Sequence, residues 1–242
     1  MNARLIDLLT AEPVHVGDYV DMLGDVDEPT TGLAHRLMRT SFVPRIYERY
    51  WRPALGRVAK GLNGPSMAEE HQFAVDNLAL RKGDVVLDVA CGTGGFTRDF
   101  AGVVGPEGLA IGLDSSTTML TRAVALDGAP AYLRADAVRP PLRDESLDAV
   151  CCFAALHMFA EPMVALDSFA RILKPGGRVA LLTSGRRRWQ PMRTVDTLLG
   201  HASGQRMFDR GQIAEALRAR GFTAVVERHA GVTQLVAARK GE

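Results

Sequence analysis

One stretch of the sequence decides the fold class: residues 86–96, which read VLDVACGTGGF. Its apolar start is typical of a parallel strand covered on both faces, and the glycines after it predict a tight turn into a helix. Because glycine lacks a Cβ, the backbone of such a turn can pass close to a ligand. The first turn of the helix adds backbone N–H groups that have no intrahelical partner. We therefore predict a strand–turn–helix unit with a ligand site at the turn.

Acidic side chains come at or just after the ends of three successive predicted strands. They are Asp88, Asp114, which lies twenty positions after Gly94, and Asp136. A carboxylate at position 114 can accept both hydroxyl protons of a ribose. A carboxylate at position 136 can accept a hydrogen bond from an amino group, such as the exocyclic amine of adenine. Ligands of doubly wound sheets bind at the carboxyl ends of the strands, so these acids predict a nucleoside site there.

The pattern around this stretch alternates between strand and helix. Strands are predicted at 85–89, 109–113, 131–134, 147–153 and 178–183, with helices at 96–104, 116–126 and 162–173. Two last strands, at 223–227 and 232–238, are separated by only a few residues around Gly231, which predicts an antiparallel hairpin. The predicted fold class is therefore α/β, with a doubly wound, mostly parallel sheet of seven strands that ends in this hairpin.

The chain is expected to have three parts: an N-terminal arm at 1–32, a helical cap segment at 33–65 and a main domain at 66–242. The arm is poorly periodic and rich in Pro and Gly, which predicts a loose structure. Ser66, with Glu69 three residues later, predicts a capping box at the first helix of the main domain.

Charge is unevenly distributed over the first two parts. Residues 1–30 contain seven acidic residues and one basic residue, a net charge of −6, and residues 36–60 contain seven basic residues and one acidic residue, a net charge of +6. Two interpretations stay open. The two segments are either separate solvated faces, or the acidic arm rests on the basic segment.

Composition restricts the classes of protein. The chain has 242 residues, 47% of them hydrophobic, and a net charge of +1, so it is neither disordered nor built as a whole to bind nucleic acid. The three cysteines, Cys91, Cys151 and Cys152, form no CxxC pair, which argues against a zinc site or a disulfide framework. No apolar run approaches the roughly 18 residues of a membrane span, and the start does not read as a signal peptide. We expect a cytoplasmic protein without a metal site.

Five motifs in this order resemble the class I S-adenosylmethionine (SAM) dependent methyltransferases. They are LDVACGTG at 87–94, GLD at 112–114, ADA at 135–137, LDAV at 147–150 and RILKPGG at 171–177. The resemblance covers about residues 66–184, and it is strongest to the small-molecule group that includes the ubiquinone/menaquinone biosynthesis methyltransferases. It implies a Rossmann-like fold in which the terminal hairpin and a helical N-terminal cap both have counterparts.

The same resemblance implies that SAM is the cofactor. The turn at 88–94 would hold its methionine part, Asp114 would bind the ribose, and Phe153 and Ala154 would flank the sulfonium. The chain departs from the pattern at Ala90, where the family often has its first glycine.

For the adenine, the resemblance implies contacts from Asp136 and Ala137, with Met119 packed on the ring. The complete predicted cofactor-binding set is Asp88, Ala90, Cys91, Gly92, Thr93, Gly94, Asp114, Ser115, Met119, Asp136, Ala137, Phe153 and Ala154. A dinucleotide site is disfavoured, because the third glycine of the G-x-G-x-x-G pattern would fall at Thr97.

His157, just beyond the fourth strand, is the leading catalytic candidate. Its ordinary pKa suits a general base at neutral pH, and the resembled group often has a histidine here. The alternative is a histidine that hydrogen-bonds a loop backbone. For His71 two interpretations stay open: it faces the cofactor pocket, or it lies on a solvated helix face. His35 and His201 are weaker candidates.

The favoured function is methylation of a small, hydrophobic or aromatic acceptor at oxygen or carbon. Aromatic residues at 42–51 and a predicted helix at 192–199 would cover the site. Alternatives are an RNA methyltransferase, to which only the basic segment at 36–60 points, and a SAM-binding protein without transferase activity. The part at 16–23 faintly resembles the tail of a small zinc module, but the cysteines are missing. A nucleic-acid partner is disfavoured, a homodimer is left open, and the basic run at 186–188 reads best as a solvated loop.

Overall fold

The computed structural model of the chain describes residues 3–25, 65–127, 129–187 and 205–242. The N-terminal residues form a short helix α1 (Ala3–Asp7) and two short strands, β1 (His15–Val16) and β2 (Val20–Asp21). Three predictions concern residues that lie almost wholly outside the described ones. They are the cap segment at 33–65, the packing of the acidic arm on the basic segment at 36–60, and the helix at 192–199. The same holds for His35 and His201.

Helices and strands then alternate, as the sequence predicts. In chain order they are α2 (Met67–Leu78), β3 (Val85–Val89), α3 (Gly95–Val104), β4 (Leu109–Asp114), α4 (Thr117–Leu126), β5 (Ala131–Arg134), β6 (Leu147–Phe153), α5 (Pro162–Ile172), β7 (Leu173–Ser184), α6 (Gln212–Arg218), β8 (Phe222–Ala230) and β9 (Thr233–Lys240). The capping box is confirmed. Ser66 Oγ accepts from the Glu69 N–H at 3.2 Å, and Glu69 Oε2 accepts from the Ser66 N–H at 2.7 Å.

The strands form one sheet in the order β1-β2-β5-β4-β3-β6-β7-β9-β8. β2, β5, β4, β3, β6 and β7 are parallel, whereas β9 is antiparallel to both β7 and β8, which confirms the C-terminal hairpin. Chain order runs outward from β3 in both directions, first to β4 and β5 and later to β6 and β7. A crevice therefore opens at the carboxyl ends of β3, β4 and β6, the place where doubly wound sheets bind ligands.

Within the described residues the sheet has nine strands, whereas seven were predicted for the chain. The two extra strands come from the N-terminal arm, which was expected to be loosely structured. Val20 and Asp21 are buried and pair in parallel with Leu133 and Arg134 at the end of β5. A two-residue strand is too short to show a periodic pattern, so tertiary contacts alone reveal it.

Apolar side chains pack on both faces of the sheet. On one face, α2 and α3 contribute Phe73, Leu78 and Phe100, all at most 2% exposed. On the other face, Leu5 of α1 and Phe169 of α5 join the larger cluster, together with side chains of α6. This double cover explains why the central strand β3 is buried at every position.

In the described part of the chain, no helix is both long and apolar enough to cross a membrane. No group of three or more His, Cys, Asp or Glu side chains could hold a metal ion there either.

Candidate active site

The turn after β3 is shaped by left-handed backbone conformations. Ala90, Gly92 and Gly94 have φ values of 57°, 58° and 77°. Glycine adopts this region freely, whereas alanine there costs roughly 1–2 kcal/mol. This explains why glycine is common in the resembled family at the position of Ala90, which adopts the strained conformation in this chain.

Space beside the turn differs between its two glycines. A Cβ added to Gly92 would meet no atom within 4 Å, so the turn is open on that side. A Cβ added to Gly94 would lie 2.5 Å from the hydroxyl oxygen of Tyr132, because the turn presses against β5 there. Gly92 therefore borders free space that a ligand could fill, and Gly94 borders the protein interior.

Asp114 connects the end of β4 to this turn. Its Oδ2 accepts a hydrogen bond from the Gly92 N–H at 2.9 Å, and its Oδ1 accepts one from the Ser116 N–H at 2.9 Å. Each carboxylate oxygen can accept more than one hydrogen bond, so capacity for ribose hydroxyls remains. The carboxylate is half-buried at the carboxyl edge of the sheet, where the sequence places a ribose contact.

Asp88 has an internal partner. Its side chain is buried, and its Oδ2 accepts a hydrogen bond of 2.6 Å from the hydroxyl of Thr97, which is itself fully buried on α3. This bond holds the first turn of α3 against the end of β3. The structure thus places Asp88 beneath the glycine turn rather than on its open side.

The residues predicted for the adenine and the ribose follow β4 and β5. Asp136 is exposed, and its Oδ1 accepts from the Val138 N–H at 2.8 Å, which fixes the loop after β5. Met119 is buried on α4, whose first turn is capped by Ser116 Oγ at 3.4 Å from the Met119 N–H. The Ser115 carbonyl oxygen accepts a hydrogen bond of 3.0 Å from Arg134 Nε.

The three cysteines lie in or beside the sheet. Burial raises the pKa of the Cys91 thiol well above its usual range, and the negative charges of Asp114 and Asp88 raise it further. Cys151 and Cys152 on β6 are fully buried, and burial raises their pKa values too. Thiols of this kind are protonated and unreactive at neutral pH, so Cys151 and Cys152 serve as core residues, as predicted.

Three aromatic rings form a cluster between β6, α3 and α2. Phe153 lies with its ring centroid 5.1 Å from that of Phe96, at an interplanar angle of 58°. His71 of α2 stacks on Phe96 at 5.2 Å, and its Nε2 lies 2.9 Å from Asp99 Oδ2. The two atoms are close, but the contact lacks hydrogen-bond geometry. His71 therefore stacks on Phe96 while 35% of its side chain stays exposed, so both interpretations of this residue stay predictions.

His157 lies on a single turn of 3-10 helix (Leu156–Met158) that follows β6. Its ring Nδ1 is 3.4 Å from the hydroxyl oxygen of Thr183, and its backbone carbonyl accepts from the Arg206 N–H at 2.9 Å. Burial lowers the pKa of His157 to about 4. The ring is therefore neutral at pH 7, the form in which a histidine can accept a proton.

Comparisons with known proteins agree with this geometry. A family model for a methyltransferase domain matches residues 87–181, and one for protein-L-isoaspartate(D-aspartate) O-methyltransferase matches residues 32–131. A chloroplastic methyltransferase of Arabidopsis thaliana is 34% identical over 173 residues, which are 66% of this chain and 48% of that protein. A ubiquinone/menaquinone biosynthesis C-methyltransferase of Pasteurella multocida is 38% identical over 117 residues, 46% of this chain and 44% of that protein.

The chain contains a class I SAM-dependent methyltransferase domain. It is similar to the domain of the ubiquinone/menaquinone biosynthesis enzymes, and SAM is its cofactor. The chain spans about half the length of the curated relatives it matches. A solved SAM-dependent methyltransferase from Aquifex aeolicus shares the fold, with a TM-score of 0.57 and 19% identity over 81% of this chain and 97% of that one.

The side chains of the methyltransferase domain fit SAM. The open side of the turn at Gly92 is a cradle that a Cβ would partly fill, and Asp114 stands at its rim with acceptor capacity for the ribose. The aromatic faces of Phe96 and Phe153 can contact a sulfonium cation favourably. These groups converge on the crevice at the carboxyl ends of β3, β4 and β6.

Several functional residues were missed by the sequence reasoning. Phe96 directly follows the glycines, so its position was a usable signal, but its partner His71 lies 25 positions away and was left undecided. Thr97, Tyr132 and Arg134 gave no sequence signal of their contacts. Arg186, read as part of a solvated loop, is half-buried, and its guanidinium pairs with Asp209 at 3.1 Å.

Proposed function

We propose that the chain transfers the methyl group of SAM to a small, hydrophobic or aromatic acceptor, at oxygen or carbon. The observation that carries the proposal is the bond between the Asp114 carboxylate and the Gly92 N–H, which joins the ribose contact to the open glycine turn. The similarity to ubiquinone/menaquinone biosynthesis C-methyltransferases supports a small acceptor.

Binding and orientation supply most of what this domain would contribute. The sulfonium is itself a strong methyl donor, so an in-line displacement needs alignment and exclusion of water more than it needs acid–base help. Asp114 fixes the ribose, and the glycine turn fixes the methionine part. Phe96 and Phe153 give the crevice an apolar aromatic wall beside the position expected for the sulfonium. Their rings exclude water there and stabilise the bound sulfonium cation.

His157 would take the proton that a hydroxyl or activated carbon acceptor loses when its bond to the methyl group forms. The ring is neutral at pH 7, and the Thr183 hydroxyl beside Nδ1 can fix its orientation. A pKa of about 4 makes His157 a weak base, which suits an acceptor that is acidic already, such as a phenol or an enol.

The test is calorimetric binding of SAM to the wild type, to Asp114→Ala and to the control Asp144→Ala. Asp144 is an acidic residue that accepts from Arg171, but its side chain is 71% exposed and it lies before the start of β6, at the opposite end of that strand from the crevice. Loss of the Asp114 carboxylate should weaken binding by about tenfold to a hundredfold, or roughly 1.5–3 kcal/mol. Asp144→Ala should bind as the wild type does. A folded wild type that does not bind SAM would refute the proposal.

Acceptor identity needs a second experiment. Transfer of labelled methyl from SAM to a panel of phenols, quinols and other small aromatic molecules should give product with the wild type and less with His157→Ala. The alternative of RNA methylation rests on the basic segment at 36–60, outside the described residues. A cytoplasmic location and a homodimer stay predictions.

A further inference from the structure

We infer that Asp21 and Arg134 are positioning residues for the nucleoside half of the cofactor site. By this inference, the N-terminal segment at 3–25 is a working part of that site. The inference rests on the proposed SAM binding. The two side chains form a buried ion pair, with Arg134 Nη1 at 3.0 Å from Asp21 Oδ2 and only 9% and 12% of the respective side chains exposed.

Arg134, at the end of β5, connects its own strand to two other parts of the chain, the N-terminal segment and the loop after β4. Its Nη1 donates to Asp21 and also to the Gly24 carbonyl oxygen at 2.6 Å, both in the N-terminal segment. Its Nε donates to the Ser115 carbonyl oxygen at 3.0 Å, on the loop after β4. The planar guanidinium can serve these acceptors at once because its N–H groups point in fixed, different directions.

The bond to Ser115 is what brings the pair to the cofactor site. Ser115 directly follows Asp114, the predicted ribose contact, and Arg134 lies opposite Asp114 in the register of β4 and β5. Asp136, the predicted adenine contact, comes two residues after Arg134. The guanidinium therefore supports the loop after β4 directly, and the backbone of Arg134 leads into the loop that carries Asp136.

Asp21 in turn holds Arg134 in place. Its carboxylate accepts from the Leu23 N–H at 2.8 Å and from the Gly24 N–H at 3.1 Å, which forms a tight turn after β2. Burial raises the pKa of this carboxyl, but those two N–H groups and Arg134 outweigh burial and leave the pKa lowered. Asp21 is thus ionised at neutral pH, and it presents a fixed negative charge to the guanidinium.

Backbone pairing fixes the geometry of the contact further. Asp21 lies opposite Arg134 in the parallel pairing of β2 with β5, and the Met22 N–H donates to the Arg134 carbonyl oxygen at 2.9 Å. The helix α1 and the bridge between Leu9 and Leu142 anchor the rest of the segment to the core. The segment therefore adds a strand to the sheet beside the carboxyl end of β5, where the loop that carries Asp136 begins.

The experiment uses the full chain with Asp21→Asn and the matched control Asp144→Asn, which removes the same charge from the exposed pair with Arg171. Binding of SAM and of 5′-methylthioadenosine, which has the nucleoside but not the amino acid, is measured by calorimetry well below the unfolding temperature. Asp21→Asn should raise the Kd of both ligands by a similar factor, about threefold to tenfold. Asp144→Asn should leave both within twofold of the wild type.

Several outcomes overturn the inference. If Asp21→Asn lowers the unfolding temperature but changes neither Kd, the pair is structural only. If Asp144→Asn raises the Kd values equally, the effect is one of general charge. If the wild type binds neither ligand, the proposed function fails and the inference fails with it, whereas normal wild-type binding with an unaffected Asp21→Asn variant refutes the inference alone.

A second variant covers the case in which Asp21→Asn does not fold. Arg134→Lys keeps a positive charge beside Asp21, but a single ammonium group cannot span both Asp21 and the Ser115 carbonyl oxygen. It should also raise the Kd of both ligands by about threefold to tenfold. Unchanged Kd values for Arg134→Lys would overturn the inference.

Discussion

The close approach of Gly94 to Tyr132 leads to a quantitative prediction for Gly94→Ala. The backbone of Gly94 has φ +77°, and its added Cβ would lie 2.5 Å from the Tyr132 hydroxyl oxygen, with ring carbons at 3.0 and 3.1 Å. Tyr132 is 2% exposed, so its ring has little freedom to retreat. The substitution therefore combines backbone strain with overpacking at one position.

The expected magnitude follows from a comparison with Gly92→Ala. Gly92 also has a left-handed backbone, with φ +58°, but its added Cβ would meet nothing within 4 Å. Gly92→Ala should cost only the strain, about 1 kcal/mol after the gain from a stiffer unfolded chain. Gly94→Ala adds an overpacking cost of about 1–3 kcal/mol, for a total of about 2–4 kcal/mol.

Urea denaturation followed by circular dichroism measures both free energies of unfolding. Tyr132→Phe supplies the test of mechanism, because it removes the oxygen that the new Cβ would strike. That hydroxyl makes no hydrogen bond of normal geometry within the described residues, and burial raises its pKa despite the nearby Arg98. Tyr132→Phe alone should thus cost little.

In the Gly94→Ala background, Tyr132→Phe should restore about 1 kcal/mol, because the two ring carbons stay close. SAM affinity should rank the two glycine substitutions in the opposite order from stability. Gly92→Ala places a methyl group in the open cradle and should weaken SAM binding more than its small effect on stability suggests. Equal losses of stability for Gly92→Ala and Gly94→Ala, with no rescue by Tyr132→Phe, would refute the reasoning.

Two further predictions concern buried polar groups. Thr97→Val removes the hydroxyl that donates to the Asp88 carboxylate and should reduce the free energy of unfolding by about 1.5–3 kcal/mol in urea denaturation. Thr97→Ser keeps the bond and should lose less; an equal loss would contradict the assignment. For His157, the pKa of about 4 in the folded chain lies below the unfolded value near 6.5, so the stability that the neutral ring contributes is lost as the pH falls from about 6.5 to about 4. Relative to His157→Gln, the wild type should lose up to about 3 kcal/mol across that range; parallel pH–stability curves would show that the ring titrates normally.

Much of the fold could be predicted because the sheet has both faces covered. The strands β3, β5 and β6 have the predicted bounds, and those of β3 and β6 follow from nearly continuous apolar runs. β7 begins five residues before the predicted strand, at Leu173, because Leu173 pairs with Leu147 across an irregularity in β6. The sequence KPGG between the two parts reads as a turn, so local pattern alone could not extend the strand backward.

The N-terminal segment shows what local patterns cannot predict. Its two strands have two residues each, and they are stabilised by contacts with residues more than a hundred positions away, chiefly the Asp21–Arg134 pair. Pro and Gly at the turns of this segment read as breakers of regular structure. They are also compatible with a compact hairpin, and only the buried partners decide between the two.

The residues of the candidate site fall into the same two groups, those that local sequence patterns predict and those that only tertiary contacts reveal. Asp114 and Asp136 could be identified from the sequence because each follows a recognisable strand. Their supports could not, since Thr97, Tyr132 and Arg134 act on residues that only the fold brings near them.

The acidic side chains of the candidate site make hydrogen bonds within the protein before any ligand binds. Asp114 accepts from the Gly92 and Ser116 N–H groups, Asp136 accepts from the Val138 N–H, and Asp88 accepts from Thr97. Asp114 holds the glycine turn and the loop after β4, Asp136 holds the loop after β5, and Asp88 holds the start of α3. The site is therefore organised in advance of binding, and less ordering entropy is lost when a ligand binds. It follows that Asp114→Ala removes the proposed ribose contact and also releases the glycine turn. The affinity that it loses should accordingly exceed the affinity lost when wild-type protein binds a ligand without the ribose hydroxyls, because only the substitution in the protein frees the Gly92 N–H.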